Sequence, residues 1–305
     1  MSLPIEDIIS DLANGSKPLV NAKLTELSNL SPEELEVYKH TWLAIEPERR
    51  RQIVHRLVDL AEDNLELNFD SIFKHCLKDP DDEVRIKAIE GLWENEEASL
   101  INPLINLLKQ DSSEKVQAMA ATALGKFAVL AEHKKLRSCY VSGIQEALLS
   151  VISDKNKPTE VKCRALEAVA PLGIPQVRTS ITEAYQSHDS RLKISSIYAM
   201  GKNCDPCWLP ILLNELSSID AEVRYEAAGA CGELEEEETV PSLVKLVNDP
   251  DIDVQTSAIQ ALGKIGNAPA RKCLEQCLRN PSEAIREAAK QSLLELKSKE
   301  SLLPF

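Results

Sequence analysis

In "GKNCDPCWLP" two cysteines, Cys204 and Cys207, stand three apart, a spacing at which thiolates can share a metal ion or exchange a disulfide. Tetrahedral zinc needs two more ligands, and a redox pair wants a strand–helix–strand setting. The chain supplies neither: the positions 31 residues on hold Glu235 and Glu238, and those 31 residues back hold Gly173 and Gln176. The five histidines, His40, His55, His75, His133 and His188, make no H-x-x-x-H step, and none is followed by glutamate. No phosphate-binding glycine loop and no Ser/His/Asp grouping occurs. On this reading no residue is assigned to catalysis, to a metal or to a cofactor, and Cys204 and Cys207 are expected in a turn.

The positions that must carry any function recur at a fixed interval. "PILLNELSSIDAEVRYEAAGACG", residues 210–232, returns 31 residues later as "PSLVKLVNDPDIDVQTSAIQALG", residues 241–263. Aligned on one apolar residue, the register runs Val84, Val116, Val161, Leu192, Val223, Val254, Ile285. A small residue follows each anchor by four (Ala88, Ala120, Ala165, Ser196, Ala227, Ala258, Ala289), and an apolar one follows by eight. That is the stripe of an amphipathic helix. Asp81, Asp189, Asp220 and Asp251 precede their anchors by three, as N-caps do. Gly125, Gly201, Gly232 and Gly263 follow by nine, where a left-handed residue is expected to end the helix. A first helix precedes each second one, opened by Pro103, Pro210 and Pro241 in its first turn. Each pair can bury its apolar face only against its neighbours.

"DPDDEVRIKAIEGLW", "DAEVRYEAAGACG" and "DPDIDVQTSAIQALG" resemble the short HEAT repeats of phycobilisome-lyase-type proteins. The resemblance implies an all-α, right-handed α-solenoid of stacked helix–turn–helix HEAT-like repeats with a helical N-terminal cap. The expected division is a capping segment over 1–68, about seven repeats over 69–297 with an insertion in 129–143, and a C-terminal tail over 298–305. Within 1–68 the pattern predicts helices over 4–13, 18–30, 31–45 and 47–63, the third opened by Ser31, Pro32 and Glu34 as a capping box. Di-iron hydroxylases of the HEAT-repeat class use paired His-Glu steps, which this chain lacks.

Composition narrows the partners. Acids outnumber bases 49 to 35, for a net charge of −14, which repels a phosphate backbone and makes a HEAT-type nucleic-acid binder the less favoured alternative. No stretch reaches the ~18 apolar residues of a membrane span. Eight cysteines in 305 residues are too dilute for a disulfide scaffold, so reduced thiols and a cytoplasmic setting are expected.

Two columns of the repeat remain. One residue past the anchors stand Arg85, Gln117, Lys162, Lys193, Arg224, Gln255 and Arg286, read as a structural ladder pairing with the Asp-rich turns of adjacent repeats. The ridge at two, three and six residues past the anchors points away from the core and carries Ile86, Met119, Ile194, Tyr198 and Tyr225. In the resembling repeats, second helices line the concave side, so these five residues are expected to bind a partner. The chain therefore reads as a non-enzymatic scaffold, without a cofactor, that grips a protein or peptide, a basic one favoured. The alternative is an enzyme or enzyme subunit like the bilin lyases.

Overall fold

The structure, a computed structural model, describes residues 5–302. Among them every regular element is helical, and the chain divides into two compact units, 1–127 with 136–147, and 128–135 with 148–305. The first unit contains α1 (Ile5–Ala13), α2 (Asn21–Thr25), α3 (Pro32–Trp42), α4 (Pro47–Asp63), α5 (Asp70–Cys76), α6 (Asp82–Gly91) and α7 (Ile101–Gln110). The division falls inside two long helices, α8 (Glu114–Glu132) and α9 (Ser138–Ser153), which the inserted segment extends and joins. The second unit continues with α10 (Thr159–Val169), α11 (Pro175–Tyr185), α12 (Ser190–Asn203), α13 (Leu209–Glu215), α14 (Ala221–Leu234), α15 (Val240–Leu246), α16 (Ile252–Ile265), α17 (Ala268–Cys277) and α18 (Glu283–Leu302). Residues 303–305 of the expected tail, and the start of the first expected helix at residue 4, lie outside the described residues.

The second unit is an α-solenoid. Its second helices α10, α12, α14, α16 and α18 lie side by side, while α11, α13, α15 and α17 each pack on the second helix that follows. The anchors Val161, Val223, Val254 and Ile285 are buried, as are Ala165, Ala227, Ala258 and Ala289 four residues on. Caps fall where the sequence puts them. Asp81, Asp189, Asp220 and Asp251 each accept a backbone N–H of the first helical turn, and Ser31 with Glu34 forms the expected capping box. Helix α2 is shorter than expected, five residues at 21–25.

The glycines nine past the anchors do not end their helices, which corrects that expectation. Left-handed residues come three positions later, at Cys204 (φ 52°), Glu235 (φ 54°) and Gly266 (φ 64°), again 31 apart. Gly201, Gly232 and Gly263 instead mark where adjacent second helices touch. A Cβ on Gly201 or Gly232 would stand 2.7 Å from the Cα of Ala230 or Ala261, and one on Gly263 would stand 2.6 Å from the Ser292 Cβ. Backbone cannot yield there as a flexible side chain could. Ser257 Oγ reinforces the contact by donating to the Tyr225 carbonyl at 2.9 Å.

The charged ladder forms only in part, at Arg85 and Arg224, and it has a second function in the turns. Arg85 grips Asp111 through Nε (2.8 Å) and Nη2 (2.7 Å) while Nη1 donates to its own turn at the Asp79 carbonyl (2.7 Å). Arg224 repeats this with Asp249 (2.8 Å twice) and the Ser218 carbonyl (2.8 Å). Gln117, Gln255 and Arg286 each reach the carbonyl six residues back. The receiving column lies five residues before the anchors, and the sequence reading passed over it. Asp79, Asp111 and Asp249 there also accept the N–H two residues on, at 2.8–2.9 Å, so one carboxylate fixes both the turn and the neighbouring repeat. The Arg224 guanidinium holds Asp249 below the ordinary carboxylate range. In the first unit Asp79 is wholly buried and takes Arg50 (3.0 and 3.1 Å) and the Trp42 indole N–H (2.6 Å).

Two stability outcomes follow. Arg85→Leu strands the buried Asp111 and should lower the urea-unfolding free energy by about 3–5 kcal/mol. Adding Asp111→Leu should recover part of that loss, and a single variant within error of wild type would refute the ladder's role. Gly232→Ala should cost about 1–3 kcal/mol despite alanine's better helix propensity, because the new methyl meets a backbone atom.

Candidate functional site

Helix packing decides what the outward ridge can offer. Where the small residues of α10, α12, α14 and α16 face one another, the positions two, three and six past the anchors divide: Cys163, Ser195 and Ser257 are buried in the contact, while Tyr198, Tyr225 and Gln260 are left exposed. Of the five ridge residues singled out, Ile86 and Met119 belong to the first unit and Ile194, Tyr198 and Tyr225 to the second. Tyr198 and Tyr225 are exposed, at 38% and 41%, while the two isoleucines and Met119 are half-buried. The division in two units leaves Tyr198 and Tyr225 as the aromatic members to build from.

Around these tyrosines stand acids. Ser195, on α12, donates its hydroxyl to Glu167 of α10 at 2.7 Å, and Arg164 bridges Glu167 and Glu160 on the same helix. Burial pushes the Glu167 carboxyl above its ordinary range. On α14, Glu226 is pushed up to about 7, first by burial and then by the charges of Glu167 and Glu222, with Arg164 opposing. Among the described residues Glu226 makes no ion pair. The cations of this face are engaged elsewhere: Lys202 and Lys264 both hold Glu233, at 2.6 and 3.1 Å, with Lys202 also 5.5 Å from the centre of the Tyr198 ring. Burial raises the Tyr198 phenol as well; the nearby Glu167, Glu226 and Glu233 add to that shift and Lys202 opposes it.

Glu226 also lines an open cleft between the N-terminal turns of α14 and α16. Asp220, Glu222, Asp251 and Asp253 supply four more carboxylates, and Tyr225 one wall. A cation entering this cleft would be drawn by the carboxylates and could lie against the aromatic face. A carboxyl pushed up to about 7, in a cleft with four others, is equipped to accept and return a proton near neutral pH. Sequence reasoning had the right columns, since Glu226 and Ser195 stand three past their anchors and Glu167 six past. It searched them for apolar side chains only.

Cys204 and Cys207 sit in the turn after α12, Cys204 as the left-handed residue. All eight cysteines are free thiols. Among the described residues no group of three or more His, Cys, Asp or Glu side chains is placed to hold a metal ion. The five histidines are followed by Thr41, Arg56, Cys76, Lys134 and Asp189, so the donor set does not fit a di-iron centre.

Residues 70–142 and 209–294, more than half of the chain, match the family model for HEAT repeats. Curated relatives include proteins named deoxyhypusine hydroxylase. The one from Candida albicans is 29% identical over 119 residues, 38% of this chain and 37% of that protein. The one from Homo sapiens is 27% identical over 122 residues, 39% and 40% respectively. The chain thus matches about two-fifths of the length of these relatives. Among solved structures, the CpcE–CpcF complex of phycocyanin lyase from Nostoc superposes with a TM-score of 0.56 at 18% identity, covering 77% of this chain and 94% of that one. That likeness is one of fold. No helix here is long and apolar enough to cross a membrane among the described residues.

The relatives bearing an enzyme's name overturn the expectation of a non-enzymatic scaffold. The physical reason the sequence misled is the stack itself. Glu167, Ser195 and Glu226 come together from three successive repeats, so no linear motif announces them.

The Glu226 carboxyl gives a pH-dependent test. Its folded pKa lies above the unfolded one, so its stabilising contribution is full below the ordinary glutamate range and is lost as pH rises through about 7. Glu226→Gln removes the charge but keeps the shape. Thermal melts should therefore show the variant more stable than wild type at pH 8, with the difference shrinking through pH 5 and vanishing below about pH 4; an equal effect at all three would refute the shifted titration.

Proposed function

The chain belongs to the HEAT-repeat family, and from that premise we propose that it is an enzyme, or the substrate-holding subunit of one, acting on a cationic side chain of another protein. The observation that carries this reading is Glu226, an acid without an ion-pair partner set between Glu167 and a cleft of four further carboxylates. Tyr225 lines the same cleft and would hold the cationic part of the incoming side chain, with Tyr198 on α12 within electrostatic reach of Glu226. Glu226 would accept a proton from the substrate group, with Glu167 and Arg164 setting its affinity for that proton. The curated relatives' enzyme name supports catalysis as the general class.

The partner is then a protein presenting a basic segment, in keeping with the chain's net charge of −14. Eight free thiols suit a reducing compartment, so we place the reaction in the cytoplasm. The bilin-lyase form of the enzyme reading makes a separate demand, a shift in visible absorbance when a bilin is added to the purified protein. A cleft rich in carboxylates favours a cation over a bilin's own carboxylates.

Intact-mass comparison of proteomes from cells with and without the gene tests the reading. A basic protein should change mass in the deletion, and its mass should be restored by the wild-type chain. Glu226→Gln should restore it at least about 100-fold more slowly if this carboxyl transfers the proton. Full restoration by the variant, or no altered protein at all, would sink the proposal.

A further inference from the structure

The first unit contains a cleft unrelated to the acidic one, and its chemistry is apolar. It measures about 700 Å³ and lies among the end of α4, the turn into α5 and the end of α6. Val58, Phe69 and Phe73 form its floor, and Leu65 and Trp93 stand at its mouth. Leu65 is 94% exposed and Trp93 44%, whereas the other two tryptophans, Trp42 and Trp208, are 1% and 3% exposed. Two large apolar side chains held in water at the mouth of one cleft are an unpaid desolvation that an occupant would relieve. The site is built rather than accidental. Gly91 in its wall has no room for a Cβ, which would strike the Phe73 ring, and Lys126 binds the carbonyls of Trp93 and Asn95, holding the segment that carries Trp93.

Charge names the occupant. Glu62, Asp70, Glu90 and Glu94 all line the cleft. Lys87 pairs with Glu90 and Asn95 donates to Asp70, but among the described residues Glu62 and Glu94 make no ion pair. Glu62 comes from α4 and Glu94 from beyond α6, so carboxylates stand on two sides of an apolar hole, Glu94 within electrostatic reach of Lys126 but in no ion pair with it. We propose that this cleft docks a basic amphipathic peptide segment, one whose leucine or aromatic anchor fills the hole between Leu65 and Trp93 while flanking lysines or arginines meet Glu62 and Glu94. An anionic segment would be repelled, and an uncharged apolar one would leave both acids unmatched.

Trp93 supplies the readout, since it is the exposed tryptophan of the three. The full chain is titrated with a synthetic amphipathic Leu/Lys peptide and with its Leu/Glu counterpart while tryptophan emission and acrylamide quenching are recorded. Binding of the Lys peptide should shift the emission to the blue and protect it from quencher, and the Glu peptide should do neither. Leu65→Ser should weaken the Lys peptide roughly tenfold or more. Glu62→Lys with Glu94→Lys should reverse the preference between the two peptides, which a mere loss of folding could not do. Equal response to both peptides, no response to either, or a tryptophan already shielded in a self-associated chain would each overturn the proposal. Since the reading concerns the first unit alone, loss of the Glu226 chemistry would leave its outcome unchanged.

Discussion

Everything in the second unit depends on how closely its second helices approach. Gly201, Gly232 and Gly263 put one helix backbone against the next at a distance that no side chain could share. That contact is dense because the residues opposite are also small, Ala230, Ala261 and Ser292. Hydrophobic burial supplies the larger driving force, through buried anchors such as Val223 and Val254, but burial is non-directional and would tolerate several registers. The backbone contact selects one. With register fixed, residues three and six past the anchors of successive repeats must come together, and Glu167, Ser195 and Glu226 are such residues.

Electrostatics divides between structure and site along the same columns. The arginines one past the anchors are spent on the turns: Arg85 and Arg224 each fix a neighbouring aspartate and their own loop carbonyl. Lys202 and Lys264 are spent on Glu233. Cations committed in this way leave Glu226 without an ion pair among the described residues, with only the charge of Arg164, itself bound to Glu160 and Glu167, acting on it. Burial then turns a surplus of negative charge into a group that titrates near 7. Such a group lowers stability above neutrality, and it stands in a cleft that Tyr225 also lines.

The fold was legible because its signals repeat. One aspartate three before an apolar residue means little; four of them at one offset predict caps, and Asp81, Asp189, Asp220 and Asp251 all cap. The glycines were read correctly as special and wrongly as helix ends. Glycine serves either a positive φ or a close approach, and sequence cannot separate them when the true left-handed positions hold Cys204 and Glu235, residues seldom found there. The aspartates five before the anchors were missed because the column drifts through Asn156, Ser187, Ser218 and Asn280. Ser187, Ser218 and Asn280 each offer an oxygen that accepts the N–H two residues on, a function that survives the change of residue, while Asn156 is followed at that place by Pro158, which has no N–H.

The site was less legible for a deeper reason. Motif searching assumes that reacting groups are near in sequence or carried on one recognisable turn, and a stack breaks that assumption. Neighbours in space here are about thirty residues apart, with the intervening chain devoted to another helix. A catalytic arrangement on such a surface therefore leaves no compact signature, only an odd letter in each of several periods. In a repeat protein the informative positions are those where a column departs from its own habit without a structural need. The column three past the anchors has no such habit, reading Lys87, Met119, Arg164, Ser195, Glu226, Ser257 and Ala288, so the sequence alone does not single out Glu226; its burial beside Glu167, without an ion pair among the described residues, does.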